Sequence, residues 1–390
     1  MRIFFLDQSA NLGGAELCLF DIVQAFSKED ILIGLLAEGS FHQFLETNHI
    51  PSLVLTQKTL NVRKESSLWQ GLSSVSQLLP LVLTAARKAK AYDIIYANTP
   101  KALIVGALAS RMSGRPLVYH LHDIISPEHF SAVNSFLLVT LANRFAKLVI
   151  ANSQASKAAF IAAGGNGAKI RVVYNGFRLG TYQLLGESDS EQRNALRQQL
   201  GLTNEFVVGH FSRLAPWKGQ HVLLEALSHL PQNVVCLLVG SALFGEDDYV
   251  LSLHQQVEAL KLGDRVHFLG FRSDIPKLMT ACDLVAHTST APEPFGRVIV
   301  EAMLCARPVV AAAAGGAVEL VEHGRTGWLC PPNDSEKLAD IISTCQTQTA
   351  EADAIAHRAQ QQARERFDVR VTNGQIQTYL AQLVSSSPKL

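Results

Sequence analysis

Four charged residues in the C-terminal half have the types and spacing needed to hold an anion and the hydroxyls beside it. Arg213 and Lys218 bracket a turn containing Pro216, within Gly209-His210-Phe211-Ser212-Arg213-Leu214-Ala215-Pro216-Trp217-Lys218-Gly219. Both can reach one anion from that turn. Arg offers a planar fork and Lys a point charge, which suits a diphosphate. Glu293 and Glu301 lie in Ala291-Pro292-Glu293-Pro294-Phe295-Gly296-Arg297-Val298-Ile299-Val300-Glu301-Ala302-Met303, a punctuated loop that enters a helix. A helix start carries unpaired N–H groups and the positive end of a dipole, so it attracts anions. Glu293 falls in the loop and Glu301 in the second turn. One carboxylate can face the helix mouth while the other accepts hydrogen bonds farther along the same ligand. A phosphate between two carboxylates that hold hydroxyls describes a nucleotide-sugar; a capped surface helix with two solvated glutamates is the plain alternative.

The N-terminal half offers fewer such groups. Asn11-Leu12-Gly13-Gly14-Ala15-Glu16 follows an apolar run and opens a helix, so Gly13 and Gly14 let backbone approach a ligand or simply make a tight turn. It is not G-x-G-x-x-G, which argues against a dinucleotide enzyme. In Val118-Tyr119-His120-Leu121-His122-Asp123 the side chains alternate, so His120 and His122 share a face, and His122 lies nearer the ligand edge. A third well-spaced metal ligand is not evident, and no metal site is expected. His122 is read as a polar contact to a bound sugar, with His120 in reserve. Gly270-Phe271-Arg272-Ser273-Asp274, whose Phe271-Arg272 could flank a base, and the glycine turn Ala313-Ala314-Gly315-Gly316-Ala317-Val318-Glu319 read first as framework and second as ligand contacts. Glu246-Asp247-Asp248 reads as an acidic helix start that the dipole explains.

These groups need strand ends to carry them. Short apolar runs predict strands at Ile3–Leu6, Ile31–Leu36, Ser52–Leu55, Ile94–Ala97, Leu117–His120, Leu148–Ala151 and Ile170–Val173. A second set runs Val207–Phe211, Val234–Val239, Val266–Leu269, Leu284–His287 and Pro308–Ala311, with helical patterns between most of them. Such alternation means parallel sheets covered by helices on both faces. The 390 residues suit two α/β domains, each a doubly wound, Rossmann-like sheet. The expected division is 1–175, a linker over 176–200, 201–368, and a C-terminal helix over 369–390 that packs back on the first domain. Residues 1–175 hold 16 Lys and Arg against 11 Asp and Glu, a net +5, and the remainder is −5, so the whole chain is neutral. Neutrality argues against nucleic acid as a partner. The six cysteines form no C-x-x-C pair and sit mostly in apolar runs, the pattern of reduced buried thiols in a cytoplasmic protein. The opening Met1-Arg2-Ile3-Phe4-Phe5-Leu6-Asp7 is too short and too soon acidic for a signal peptide.

Arg213-x4-Lys218-Gly219, Glu293-x-Phe295-Gly296-x4-Glu301-Ala302-Met303, Arg307-Pro308-Val309-Val310 and Gly315-Gly316-x2-Glu319 together resemble glycosyltransferase family 4. The match covers roughly 207–332, and more thinly Gly13-Gly14, His122 and Ala151-Asn152-Ser153. The resemblance implies the GT-B fold, two Rossmann-like domains facing across a cleft, and transfer with retained anomeric configuration. It implies that Arg213 and Lys218 clamp the nucleotide diphosphate and that Glu293 binds the sugar hydroxyls. Glu301 would hold the ribose, Phe295 and Gly296 would offer backbone N–H groups, Gly13-Gly14 would sit by the diphosphate, and His122 would touch the sugar. Gly240, Phe271, Arg297 and Val298 complete the expected donor contacts. No cofactor or metal is implied beyond the UDP- or GDP-linked donor.

The expected reaction moves a hexosyl group to a hydroxyl of a saccharide or lipid-linked saccharide, in polysaccharide, lipopolysaccharide or glycolipid synthesis. A GT-B-like sugar-nucleotide epimerase and a non-catalytic binding protein are the alternatives. Phe130–Leu148 is apolar on one side, interrupted by Asn143, Arg144 and Lys147. It is either a core-facing helix or a patch that rests on anionic lipid, which would place the protein peripherally on the inner face of the plasma membrane.

Overall fold

The computed structural model describes residues 1–8, 12–56, 68–182, 190–242 and 245–385. Asn11, part of the first glycine turn, and the polar tail from Ser386 lie outside the described residues. The chain forms two compact units, one made of Met1–Phe177 with Val369–Leu390 and the other of Arg178–Asp368.

The first unit holds strands β1 (Ile3–Asp7), β2 (Ile31–Leu35), β3 (Ser52–Val54), β4 (Ile94–Ala97), β5 (Leu117–Leu121), β6 (Ala146–Ala151) and β7 (Ile170–Val172). They lie in the order β3-β2-β1-β4-β5-β6-β7, and every pair is parallel. Buried on both faces, these strands need no polar alternation, which is why they read as continuous apolar runs. Successive side chains of β1 go to opposite sides. Phe4 and Leu6 meet the helices Leu68–Ala89 and Pro100–Ser113, while Ile3 and Phe5 meet Gly14–Val23 and the C-terminal helix Val369–Ser385. That last helix is tied down by Asn373 Nδ2, which donates to the Asp21 carbonyl at 2.9 Å.

In the second unit β8 (Phe206–Phe211), β9 (Val234–Val239), β10 (Val266–Gly270), β11 (Leu284–His287), β12 (Val309–Ala312) and β13 (Trp328–Cys330) form the parallel order β10-β9-β8-β11-β12-β13. Both sheets are thus doubly wound. Each expected strand is present, with ends shifted by at most two residues.

Two elements differ from expectation. The 176–200 stretch is more than a linker: its described part includes a helix, Ser190–Gln199, whose Arg193 and Arg197 both bind the Asp283 carboxylate just before β11. A polar composition cannot reveal that anchorage. The Phe130–Leu148 helix is shorter, Ala132–Phe145, because Ala146 already joins β6. All six cysteines are buried thiols. Among the described residues no helix is long and apolar enough to cross a membrane.

Candidate active site

The sheet order of the second unit reverses between β8 and β11. Ligands of open parallel sheets bind beyond the carboxyl ends of the strands at such a reversal. Lys218 reaches that edge on a 3₁₀ turn, Pro216–Lys218, closed by Gly219 at φ 71°. A Cβ at Gly219 would run into the Thr288 carbonyl, so only glycine lets the turn lie against the loop after β11. The Thr288 hydroxyl donates to the Gly219 carbonyl at 2.8 Å, and the Thr290 N–H donates to the Trp217 carbonyl at 2.8 Å. Thr288 Oγ1 then accepts from His210 Nε2 at 3.0 Å. Burial, with His287 nearby, pushes the His210 imidazole down to about 3, so it is neutral.

Glu293 is 8% exposed. Its Oε2 accepts from Lys218 Nζ at 2.7 Å, Ser289 Oγ at 3.0 Å and His287 Nε2 at 3.1 Å. Burial alone would raise the carboxyl, but the Lys218 ammonium and His287 outweigh it and hold the group well below the usual carboxylate range. The backbone is fixed as firmly. Gly316 N–H donates to the Glu293 carbonyl at 2.6 Å, and Glu293 bridges Gly315, which sits at φ 63°. A Cβ on Gly315 would lie 2.6 Å from the Glu293 nitrogen. The Gly315-Gly316 pair read as framework is therefore the seat of Glu293.

Other expected donor residues have more local partners. Arg213 Nε is 3.2 Å from Glu246 Oε2, so Glu246 does more than cap the dipole of the helix Asp247–Ala259. Arg213 and Lys218 thus face different carboxylates rather than one shared point. Glu301 lies one turn along the helix Arg297–Leu304, with Arg297 Nη2 at 3.7 Å from its Oε1, and Val298 is half-buried beside them. The Phe295 ring is buried edge-on to Phe367. Gly240, at φ 143°, allows the Ser212-Arg213 backbone to pass. Phe271, directly after the edge strand β10, is 67% exposed.

In the first unit the reversal lies between β1 and β4. Gly13 precedes the helix Gly14–Val23 with φ −137°, an extended conformation open to any residue. What Gly13 leaves room for is Glu16, whose Oε2 would be 2.9 Å from a Cβ there. Burial raises the Glu16 carboxyl to about 7 against hydrogen bonds from its own and the Gly13 N–H groups. His122 Nε2 lies 2.9 Å from Asn98 Oδ1. Asn98 donates its amide hydrogens to Asp7 Oδ2 at 2.6 Å and the Ala15 carbonyl at 3.1 Å, so its oxygen must face His122 and Nε2 must carry the hydrogen. His120, instead, is buried with Nδ1 on the Tyr96 hydroxyl at 2.8 Å. The two imidazole rings do share a face, with centroids 4.0 Å apart.

Asp7, Asn98, His287 and Ser289 were missed by motif reading. Their common signal is a polar residue at or just past the carboxyl end of an apolar strand, a place where burial needs a reason.

Residues 192–366 match the family model described as glycosyl transferases group 1, and residues 12–180 match that of glycosyltransferase family 4. HepE of Anabaena, solved in complex with UDP-glucose, is 57% identical, with 98% of this chain and 100% of that chain covered and a TM-score of 0.90. D-inositol 3-phosphate glycosyltransferase of Mycobacterium tuberculosis is 31% identical over 269 residues, 64% of this chain and 53% of the relative. Spore coat protein SA of Bacillus subtilis is 32% identical over 191 residues, 45% of this chain and 50% of the relative. The chain thus spans about half the length of the curated relatives it matches. Two family models that between them cover most of both units, and a full-length likeness to HepE, make this chain a member of the group 1 glycosyltransferases of family 4, built on the GT-B fold.

Proposed function

We propose that the protein transfers a hexosyl group from a UDP-sugar to a hydroxyl of a saccharide or lipid-linked saccharide, with retention and without a metal in the reaction. The observation that carries this reading is the Lys218–Glu293 pair at the β8/β11 reversal, in a chain 57% identical to HepE in its UDP-glucose complex. Uridine is preferred to guanosine on that likeness.

Charge decides the roles. As the bond from sugar to phosphate breaks, the anomeric carbon becomes cationic and the diphosphate gains negative charge. Lys218, Arg213 and the N–H groups that open the Arg297–Leu304 helix meet that charge. Removing one such preorganised donor costs about 3–4 kcal/mol of transition-state stabilisation. The hydrogen bonds to the Glu293 carboxylate among the described residues all fall on Oε2, and Oε1 is assigned to the sugar hydroxyls. A carboxylate pinned by three donors is a positioner rather than a nucleophile. Glu301 holds the ribose, and His122 contacts the sugar. The acceptor hydroxyl attacks from the face the diphosphate leaves and passes its proton to the departing phosphate oxygen. Synthesis of a polysaccharide, lipopolysaccharide or glycolipid in the cytoplasm is the setting in which such a donor and acceptor meet.

Saturation-transfer NMR with UDP-glucose and GDP-mannose in parallel tests the donor. Transfer from protein to the uridine and glucose protons, followed by acceptor-dependent UDP release and an α-linked product from the α-donor, is expected. Binding of the guanosine sugar alone, or an inverted product, would overturn the reading.

A further inference from the structure

The first unit contains a cluster of metal-binding side chains outside the donor groups of the second. Cys18, on the helix Gly14–Val23, is carried to the carboxyl end of β5, where one ligand atom each of Cys18, His120 and His122 lie within 4.8 Å of one another. Cys18 and His120 are buried, at 2% and 1% exposure, and His122 is half-buried and gives the cluster its way out to solvent. The Nε2 of His120 is buried with no hydrogen-bond partner among the described residues. A buried ring nitrogen without a partner is costly, and a structure keeps few of them without a cause.

The surroundings match what a metal site needs from its outer partners. A ligating histidine usually gives its other N–H to an oxygen, which fixes both tautomer and ring orientation. Here Tyr96 Oη holds Nδ1 of His120, and Nε2 is the ring nitrogen left without a hydrogen bond among the described residues. Asn98 Oδ1 takes the Nε2 hydrogen of His122, and Asn98 is itself locked by Asp7, which places the lone pair of His122 on Nδ1. The Cys18 thiol donates to Asn175 Oδ1 at 3.3 Å, so its hydrogen points to an oxygen. Two imidazoles and one sulfur form a borderline-soft donor set, which excludes Mg²⁺ and Ca²⁺ in favour of Zn²⁺ and its like.

We propose that Cys18, His120 and His122 bind one thiophilic cation of the Zn²⁺ class. Bonds of about 2.0–2.3 Å at tetrahedral angles put ligand atoms roughly 3.3–3.8 Å apart, so the side chains adjust when the cation binds. The cation sheds water, the Cys18 thiol releases its proton to solvent, and the sulfur–metal bond forms with a water left in the fourth position. No group is oxidised or reduced. The site stands whether or not His122 also contacts a sugar, and its test uses no enzymatic turnover.

Cobalt(II) is the probe, titrated into the full-length, chelator-treated protein. One equivalent per chain should give the thiolate-to-cobalt charge-transfer band together with intense tetrahedral visible bands. Cys18→Ser should abolish the charge-transfer band, and both Cys18→Ser and His120→Ala should weaken binding by more than the 10–100-fold typical of losing an outer partner. Cys345→Ser, a buried thiol elsewhere, should leave the spectrum unchanged. If Cys18→Ser misfolds by circular dichroism, zinc X-ray absorption of the unsubstituted protein decides: one sulfur and two imidazoles support the site. An absent charge-transfer band, a band that survives Cys18→Ser, or a zinc shell without sulfur would overturn it.

Discussion

Lys218 Nζ and Glu293 Oε2 are 2.7 Å apart, with both side chains largely out of solvent. Lys218 comes from the turn after β8 and Glu293 from the loop after β11, so this pair joins the two strands at which the sheet reverses. A buried pair of this kind contributes little net stability, yet breaking it strands a charge. It also means that the cation proposed for the diphosphate and the carboxylate proposed for the sugar hydroxyls hold each other in place.

Lys218→Ala is therefore expected to hurt twice. Stability should fall by about 3–5 kcal/mol, because Glu293 is left buried and charged, and transfer should fall by about 10²–10³-fold. Lys218→Ala with Glu293→Gln should recover much of the stability and none of the activity. Urea unfolding and UDP release measure the two effects; equal destabilisation in the single and double variants would rule out coupling.

Arg213→Ala combined with Lys218→Ala should abolish transfer in a folded protein, since each cation answers to a different carboxylate in the free state. Full activity in that double variant refutes the clamp. Glu301→Ala should mainly weaken UDP-sugar binding, and an unchanged affinity by calorimetry removes the ribose role.

Gly315→Ala tests the seat of Glu293. Alanine is strained at φ 63° and its Cβ meets the Glu293 backbone. The expected outcome is a loss of at least about 1 kcal/mol in stability with a disproportionate fall in kcat. Gly245→Ala, also at positive φ but with open space around it, is the control for strain alone.

His210 supplies a pH signature. Folded His210 takes its proton only near pH 3, whereas the unfolded chain does so near 6.5, so the unfolded state binds more protons between those values. Stability should therefore rise with pH across that window, by up to about 1.4 kcal/mol per pH unit from this group. His210→Asn should flatten the slope between pH 4 and 6.5, read by urea unfolding at each pH. An unchanged slope would mean that His210 is charged in the folded protein.

The helix Ala132–Phe145 turns Val133, Phe136 and Leu137 to solvent at 75%, 73% and 42% exposure, with Arg144 exposed in its last turn and Lys147 exposed just past its end. Apolar residues at i, i+3 and i+4 beside basic ones suit an anionic lipid surface. Flotation with phosphatidylglycerol vesicles should carry the protein, and Phe136→Ser with Val133→Ser should release it. Equal flotation of both proteins would assign those residues no membrane role.

Much was legible from the residues in order. Fully buried parallel strands are largely apolar, so runs such as Ile3–Leu6 and Val234–Val239 announced themselves, and the turn residues after them marked ligand edges. Arg213, Lys218, Glu293 and Glu301 were visible because loops that feed helix starts leave local signatures in proline, glycine and charge. Which partner each would take was not legible. Lys218 and Glu293 are 75 positions apart, and only the strand order β9-β8-β11-β12 brings their loops together. Arg213 turned to Glu246, His287 became a support for Glu293, and Cys18 joined His120 and His122, for the same reason. Local periodicity records whether a residue is buried and in what kind of element. The order in which strands pair is set by how two whole faces of helices pack, and that decided every side-chain partnership at both strand-edge clusters.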